Sequence, residues 1–203
     1  MPTLTEKPAK RRQIPKLKFS KPRHNLPGRK GIATAEDHFT IGFARAYFSQ
    51  AVEIHRNSCR TELAMAREIP ANGYGIADLI AVAWAPSANR FSDIRTFLSE
   101  GKPCSRAFEC KMTDWKQAMR QAARYRFFAH QAIAVLPEVA CQRALPFLQT
   151  FMAIKVGLWS YDASHSRIKV YHTPRMGIPK SERYYLRCVE KVQQATQRVL
   201  PVL

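Results

Sequence analysis

Acidic residues are scarce in this sequence. Its 203 residues include 15 Asp and Glu against 33 Lys and Arg, which leaves a formal net charge of +18. Such an excess says more about partners than about fold, and nucleic acid is the polyanion that it favours. Charge alone also allows an acidic protein or a membrane surface as the partner.

No cysteine pair stands at the spacing of a metal or redox motif. The five cysteines are an odd number, without any Cys-x-x-Cys pair: Cys59, Cys104, Cys110, Cys141 and Cys188. This pattern argues against both a disulfide framework and a structural zinc site. Reduced thiols are typical of the cytoplasm, so we expect a cytoplasmic protein.

Long apolar runs are missing as well. No segment approaches the roughly 20 apolar residues that a membrane-spanning helix requires, and no signal-peptide-like apolar segment follows the basic N-terminus. We therefore expect a soluble protein with no membrane partner. A Gly-rich phosphate loop, a Ser nucleophile elbow and histidines at metal-ligand spacing are also absent. Nucleotide hydrolysis and acyl transfer are therefore unsupported.

The first 30 residues differ in composition from the rest of the chain. They contain ten Lys and Arg, five prolines and a single acid, Glu6. Because proline lacks a backbone donor and blocks regular pairing, we predict a disordered or extended basic arm. Two roles for this arm are open. It is either a sequence-independent contact to phosphates, which would be salt-dependent, or a solubilising tail.

The remaining chain has enough apolar sequence for one substantial core. Hydrophobic spacing predicts a first helix over residues 34–52, with Glu36 and Asp37 in its first turn. A hairpin is predicted over residues 66–84, since Asn-Gly at its centre favours a tight turn. Its second strand is apolar on both faces except for one acid, Asp78.

Residues 105–137 follow the order strand, helix, strand, which implies parallel pairing. The predicted boundaries are a strand at 105–112, a helix at 114–130 and a strand at 131–137. Further along, the sequence predicts a short helix near 146–151, a hairpin over 154–171 and a basic helix over 181–200.

These elements predict an α/β fold with a mixed central sheet flanked by helices. We divide the chain into three parts: the basic arm, the core and a C-terminal basic helix that packs on the core, at residues 1–30, 31–175 and 176–203. Residues 85–103 are predicted to be an inserted excursion that holds a short helix.

Two acidic residues and one lysine are candidates for an active site. Glu109 and Lys111 lie two residues apart in a predicted strand, so their side chains share one face, while Phe108 and Cys110 point to the core. Asp78 interrupts an apolar strand, where a carboxylate is costly unless a cation pairs with it or a metal ion binds it. Carboxylates suit the hard cation Mg²⁺, which keeps several of its waters.

The motifs in this region resemble those of a known superfamily. They are Gly-Ile-Ala-Asp78-Leu on one strand, Phe-Glu109-Cys-Lys111 on the next, and Gln121-x-x-x-Tyr125 on the following helix. This pattern resembles the PD-(D/E)XK nucleases, which share the restriction-endonuclease-like fold with Holliday junction resolvases. The resemblance covers roughly residues 34–137. Alanine stands at position 77, where the superfamily name has proline.

The resemblance implies a metal-dependent endonuclease that acts on DNA. It implies that Asp78 and Glu109 bind Mg²⁺ or Mn²⁺, and that Lys111 orients or activates the attacking water and stabilises charge on the phosphate. An acid of the first helix would complete the metal site, and Glu36 is the best placed. The alternatives for that role are Glu53, Glu62 and Glu68.

The same resemblance assigns supporting roles to the helix after Lys111. Gln121 and Tyr125 would support the site or touch the DNA backbone, and Arg120 and Arg124 would contact phosphates. Cutting of both strands would be easiest for a two-fold dimer, so a homodimer is possible.

Two other interpretations stay open. In the first, the chain retains the nuclease-like fold and binds nucleic acid without cutting it. In the second, Asp78 and Glu109 form only structural salt bridges in a basic scaffold protein. For Glu36, a favourable interaction with the helix dipole is the alternative to metal binding.

Overall fold

A six-stranded sheet forms the centre of the molecule in the computed structural model, which describes residues 34–54, 62–70, 73–85 and 94–196. The strands are β1 Glu62–Pro70, β2 Ile76–Trp84, β3 Cys104–Cys110, β4 Gln131–Leu136, β5 Gly157–Asp162 and β6 Arg167–His172. The helices are α1 Ala35–Ile54, α2 Ile94–Glu100, α3 Trp115–Tyr125, α4 Glu138–Ala144, α5 Leu148–Ala153 and α6 Glu182–Thr196.

The six strands lie in the sheet in chain order. Strands β1, β2 and β3 are antiparallel neighbours, β3, β4 and β5 are parallel, and β6 returns antiparallel to β5. The parallel step from β3 to β4 is made through α3, as the strand, helix, strand order predicts. The predicted α/β class with a mixed sheet and flanking helices is confirmed.

Helix α1 covers one face of the sheet with aromatic side chains. Phe43 and Tyr47 are fully buried and meet Phe108 of β3 edge-on, with ring centroids 5.1 and 5.0 Å apart. Each such pair adds about 0.5–1.5 kcal/mol beyond its buried area. At the start of α1, Thr34 and Asp37 form a reciprocal capping box, in which Asp37 N–H donates to Thr34 Oγ1 and Thr34 N–H donates to Asp37 Oδ2.

The other helices contribute to the opposite face. Ala118 and Ala122 of α3 pack in one apolar cluster with residues of α4, α5 and the middle strands. Tyr185 and Val189 of α6 belong to a second cluster, which includes β1 and β2. Asp114 caps α3 by accepting from Gln117 N–H at 2.8 Å.

Several predicted boundaries differ from the observed ones. The ambiguous segment before residue 70 is a strand from Glu62 onward, and β5 begins at Gly157 rather than at 154. Helix α3 ends at Tyr125, about five residues earlier than predicted, because the chain turns there and Phe128 and Ala129 donate back to the Tyr125 carbonyl.

Helix α4 was not predicted, since the sequence prediction ended the strand at Pro137 and assigned no element to the residues that follow. Proline instead precedes the first turn of the helix, where its missing N–H is not needed. The predicted arm at residues 1–30 lies outside the described residues, as do turn residues 71–72, residues 86–93 of the excursion and the end of the chain from 197. In the part of the chain that is described, no helix combines the length and apolarity needed to cross a bilayer.

Candidate active site

Strands β2 and β3 place Asp78 next to Glu109. The antiparallel ladder pairs Leu79 with Phe108, so the two acids occupy the next facing positions. Asp78 Oδ2 accepts the Cys110 N–H at 2.8 Å, which fixes its carboxylate against the end of β3. The two acids predicted from the sequence are therefore neighbours at one end of the sheet.

Lys111 follows directly after β3 and connects three elements. Its N–H donates to the Val135 carbonyl of β4 at 3.1 Å. Its Nζ lies 3.2 Å from Glu109 Oε1 and 2.6 Å from Glu36 Oε1 of α1. A lysine held by two carboxylates and by its own backbone has little freedom, so its charge occupies a defined position.

Tyr125 ties α3 to the same group. Its hydroxyl lies within hydrogen-bonding distance of Glu109 Oε2 and donates to the Ile76 carbonyl at 2.6 Å. The side chain is almost fully buried. Tyr125 is thus a direct partner of Glu109, one of the two roles that the sequence motif implied.

The two acids are hard to ionise in this setting. Burial raises the pKa of Asp78 to about 6, although the Cys110 N–H and the Lys111 charge oppose the rise. Burial, together with the charge of Asp78, raises the pKa of Glu109 to about 7. Both shifts follow from removing two like charges from water at adjoining strand positions.

Lys111 responds in the opposite sense. Burial alone would lower its pKa, but the hydrogen bond to Glu36 and the charges of Glu109 and Asp78 outweigh burial and raise it well above its ordinary value. Lys111 is therefore a cation at neutral pH. A lysine in that state donates hydrogen bonds and stabilises negative charge, and it does not act as a base.

A second ion pair adjoins the group through β1. Arg67 is buried, and its Nη2 atom lies 2.6 Å from Asp37 Oδ1 of α1 and 3.7 Å from Glu68 Oε1. The charge of Arg67 also lowers the pKa of Asp78. We did not single out Arg67 from the sequence, although an arginine within the apolar run of β1 was an available signal.

Glu68 is the unusual member of this neighbourhood. It has a left-handed backbone with φ of 52°, which is rare for a non-glycine residue. Its Oε2 atom is buried and has no hydrogen-bond partner among the described residues. Backbone strain of this kind costs roughly 1–3 kcal/mol and concentrates at functional sites.

The remaining sequence-predicted residues lie on α3 at different depths. Arg120 and Arg124 are exposed, and neither has an ion pair within the described ranges. Gln121 lies one turn before Tyr125, and its Oε1 atom is buried without a hydrogen-bond partner in the described part of the chain. The structure thus brings Asp78, Glu109 and Lys111 together with Tyr125, while the two arginines face solvent.

The acids form a pair rather than a three-ligand cage. In residues 34–54, 62–70, 73–85 and 94–196, no group of three or more His, Cys, Asp or Glu side chains is placed to hold a metal ion. Glu36 lies against Lys111, and Glu53 and Glu62 have side chains outside the described set. A pair of carboxylates still fits Mg²⁺, which often takes one or two of them and keeps its waters.

Charge balance around the pair also fits a cation. Two cations, Arg67 and Lys111, lie near five acidic residues: Glu36, Asp37, Glu68, Asp78 and Glu109. The cluster therefore carries three uncompensated negative charges when all five acids are ionised. It holds a third of the chain's 15 acids, in a protein of net charge +18.

Comparisons with protein-family models, with curated proteins and with solved structures find no match to this chain.

Proposed function

We propose that this protein is a Mg²⁺- or Mn²⁺-dependent endonuclease that hydrolyses DNA phosphodiester bonds, with Asp78, Glu109 and Lys111 at its active site. One observation carries the proposal: the buried Glu109 and the half-buried Asp78, both with raised pKa values, lie at the end of adjoining strands, where a protonated lysine contacts Glu109. We also propose that the fold is restriction-endonuclease-like, because the elements that carry these residues follow the strand, strand, helix, strand order of the sequence motifs.

The raised pKa values argue for a cation rather than for structural salt bridges. A carboxylate whose partners suffice has a lowered pKa, because those partners favour its charged form. Asp78 and Glu109 have the opposite shift, first because of burial, although Lys111 contacts Glu109. A bound cation would offset the cost of ionising them, and perturbed groups of this kind cluster at functional sites.

Asp78 and Glu109 are the residues that would hold the ion. Asp78 has one carboxylate oxygen bound to the Cys110 N–H, and its other oxygen, Oδ1, has no hydrogen-bond partner among the described residues. A divalent ion bound there lowers the pKa of a coordinated water and neutralises charge on phosphoryl oxygens.

Lys111 would contribute the positive charge that the protein itself supplies. Its ammonium lies 3.2 Å from Glu109 Oε1 and would stabilise the negative charge that grows on a phosphate during attack. Glu36 holds that ammonium at 2.6 Å and Tyr125 holds Glu109. We assign both residues a positioning role.

A nucleic acid is the class of substrate that the charge distribution favours, and the sequence resemblance selects DNA within that class. Helix α3 presents Arg120 and Arg124 to solvent, on the helix whose Tyr125 reaches the site. Cationic side chains of this kind contact phosphates without reading sequence, and such binding weakens steeply with salt.

The test compares cutting and binding on linear, supercoiled and branched DNA. The protein is incubated with Mg²⁺, with Mn²⁺ or with chelator, alongside Asp78→Asn and Lys111→Ala. Glu190→Gln, an exposed acid on α6, is the matched charge control. We expect metal-dependent cutting that both site variants lose and that Glu190→Gln retains.

Other outcomes discriminate between the rival functions. Tight binding with no cutting under any metal would leave a nucleic-acid-binding protein without catalytic activity. Cutting that persists equally in Asp78→Asn and Lys111→Ala would exclude this site. An RNA of the same sequence, run in parallel, decides which nucleic acid is preferred.

A further inference from the structure

A cavity of about 130 Å³ lies away from the acidic site. It is lined by Arg126, Ala129, His130, Lys155, Arg175, Gly177 and Ile178. His130 directly precedes β4, and Lys155 lies just before β5. Parallel strands begin at the same edge of a sheet, whereas the acidic site lies where β3 ends. The cavity and the acidic site are therefore at opposite ends of the parallel strands.

The lining is cationic and contains no carboxylate. Arg126, Lys155 and Arg175 carry three positive charges, and in the described ranges none of the three forms an ion pair. Three cations around one cavity repel each other, so an anion bound between them is favourable.

Backbone contacts fix the walls of this cavity. Arg126 Nη1 donates to the Ile154 carbonyl at 2.9 Å, which holds the guanidinium beside the segment of Lys155. Gly177 N–H donates to the His130 carbonyl at 3.0 Å, which holds the segment of Arg175 against the start of β4. The cations are thus brought together by the fold, although Lys155 and Arg175 are both exposed.

Lys155 adds a sign of function. Its backbone is left-handed, with φ of 57°, in the tight turn where its N–H donates to the Met152 carbonyl. Glycine or asparagine adopts this conformation at less cost than lysine does. A lysine at such a position suggests that its charge is useful there.

We propose that this cavity binds a phosphate group. The space accommodates several water molecules and therefore one tetrahedral oxyanion. Two guanidinium groups and one ammonium offer the charge-assisted donors that phosphate oxygens accept. The phosphate belongs either to a polynucleotide backbone or to a small phosphate ester, because both present the same oxygens. The proposal is independent of metal binding and of catalysis at Asp78.

Inorganic phosphate is the first probe, titrated into the full chain by calorimetry with chelator present. We expect saturable binding that weakens at least about tenfold in Arg175→Ala and in Lys155→Asn, since each loses a charged hydrogen-bonding group. Asparagine tolerates the left-handed backbone, so the second variant keeps the turn. Arg45→Ala removes the same charge from an exposed site on α1 and should change affinity less than twofold.

Competition identifies the source of the phosphate. Displacement by a DNA oligonucleotide without terminal phosphates indicates a backbone phosphate, and displacement only by a nucleoside monophosphate indicates a small ester. Asp78→Asn should bind phosphate as the wild type does, which separates this site from the proposed nuclease centre. Absence of saturable binding, or an equal loss in Arg45→Ala, would overturn the proposal.

Discussion

Two glutamates in this molecule have the same kinds of partner and opposite properties. Glu109 contacts the hydroxyl of Tyr125 and the ammonium of Lys111, and Glu138, at the start of α4, contacts the hydroxyl of Tyr171 and the ammonium of Lys169. The pKa of Glu109 is raised to about 7. The pKa of Glu138 is lowered to about 2, first by the Tyr171 hydroxyl.

The difference lies in surroundings rather than in donors. Glu109 is 1% exposed and faces a second acid, Asp78, whereas the Glu138 side chain is 42% exposed. Glu138 also accepts from Ser160 Oγ at 2.7 Å and from Gln142 Nε2 at 2.6 Å. Water and four donors thus satisfy one charge, and the other is left in need of a cation. The comparison separates a carboxylate that side chains and water satisfy from one that we propose to bind a metal ion.

Removal of the two lysines should give the largest contrast. We expect Lys111→Ala to lower the rate of metal-dependent DNA cutting by about 10²–10³-fold, because it deletes the charge nearest the proposed phosphate site. Lys169→Ala, beside Glu138, should stay within about twofold of the wild type. Rates on supercoiled DNA measure both, and similar losses in the two variants would remove the functional distinction between the glutamates.

The unfolding free energy should depend on pH through the titration of Asp78 and Glu109. The folded pKa values of Asp78 and Glu109, about 6 and 7, exceed their ordinary values. The folded state therefore holds protons that the unfolded state has released, and the unfolding free energy falls as pH rises from about 5 to 8.

We expect a loss of roughly 4 kcal/mol over that pH range, measured by urea unfolding. The double variant Asp78→Asn/Glu109→Gln should lose this slope. Glu138 contributes in the opposite sense, since its lowered pKa gives stability that is lost only as pH falls below about 4. A wild-type slope identical to that of the double variant would show that the pair titrates normally.

Added metal should stabilise the fold through the pair of Asp78 and Glu109 and not through Glu138. For a dissociation constant of about 1 mM, 10 mM Mg²⁺ raises the unfolding free energy by about 1.4 kcal/mol. This corresponds to a rise in Tm of roughly 3–5 °C. Differential scanning fluorimetry should show the rise in wild type and Glu138→Gln and no rise in Asp78→Asn. Equal shifts in all three proteins would mean that the ion binds elsewhere.

Neutralising each glutamate should change stability in opposite directions. At pH 8 and without metal, Glu138→Gln loses charged hydrogen bonds and should unfold about 1 kcal/mol more easily. Glu109→Gln removes a buried, repelled charge and should be about 1 kcal/mol more stable than the wild type. Equilibrium denaturation at constant salt measures both, and changes of the same sign would contradict the contrast drawn here.

Local patterns accounted for much of this structure. Apolar runs located β2 and β4, the alternation of charged and apolar residues located β3, and an acid inside an apolar strand pointed to Asp78. The two-residue spacing of Glu109 and Lys111 predicted their proximity, and their side chains are 3.2 Å apart. These features depend on residues close in sequence or on the period of a strand.

Contacts between residues that are distant in the chain could not be predicted from the sequence. The contact of Glu36 with Lys111 depends on how α1 lies across the sheet, and the acid of α1 nearest the site pairs with the lysine. The burial of Arg67 depends on the same packing. The basic cavity joins residues from three separate turns, so no motif marks it. Helix α4 was missed because a proline serves equally to end a strand and to begin a helix.

The hydroxyl of Tyr125 has one proton and two acceptors, Glu109 Oε2 and the Ile76 carbonyl. When Glu109 is ionised, Tyr125 can satisfy only one of them. When Glu109 is protonated, it donates to Tyr125, which then donates to Ile76, and both hydrogen bonds form. The hydrogen bond between α3 and the first residue of β2 therefore depends on whether the Glu109 carboxyl group is protonated. A cation that takes the place of that proton also loosens one attachment of the helix.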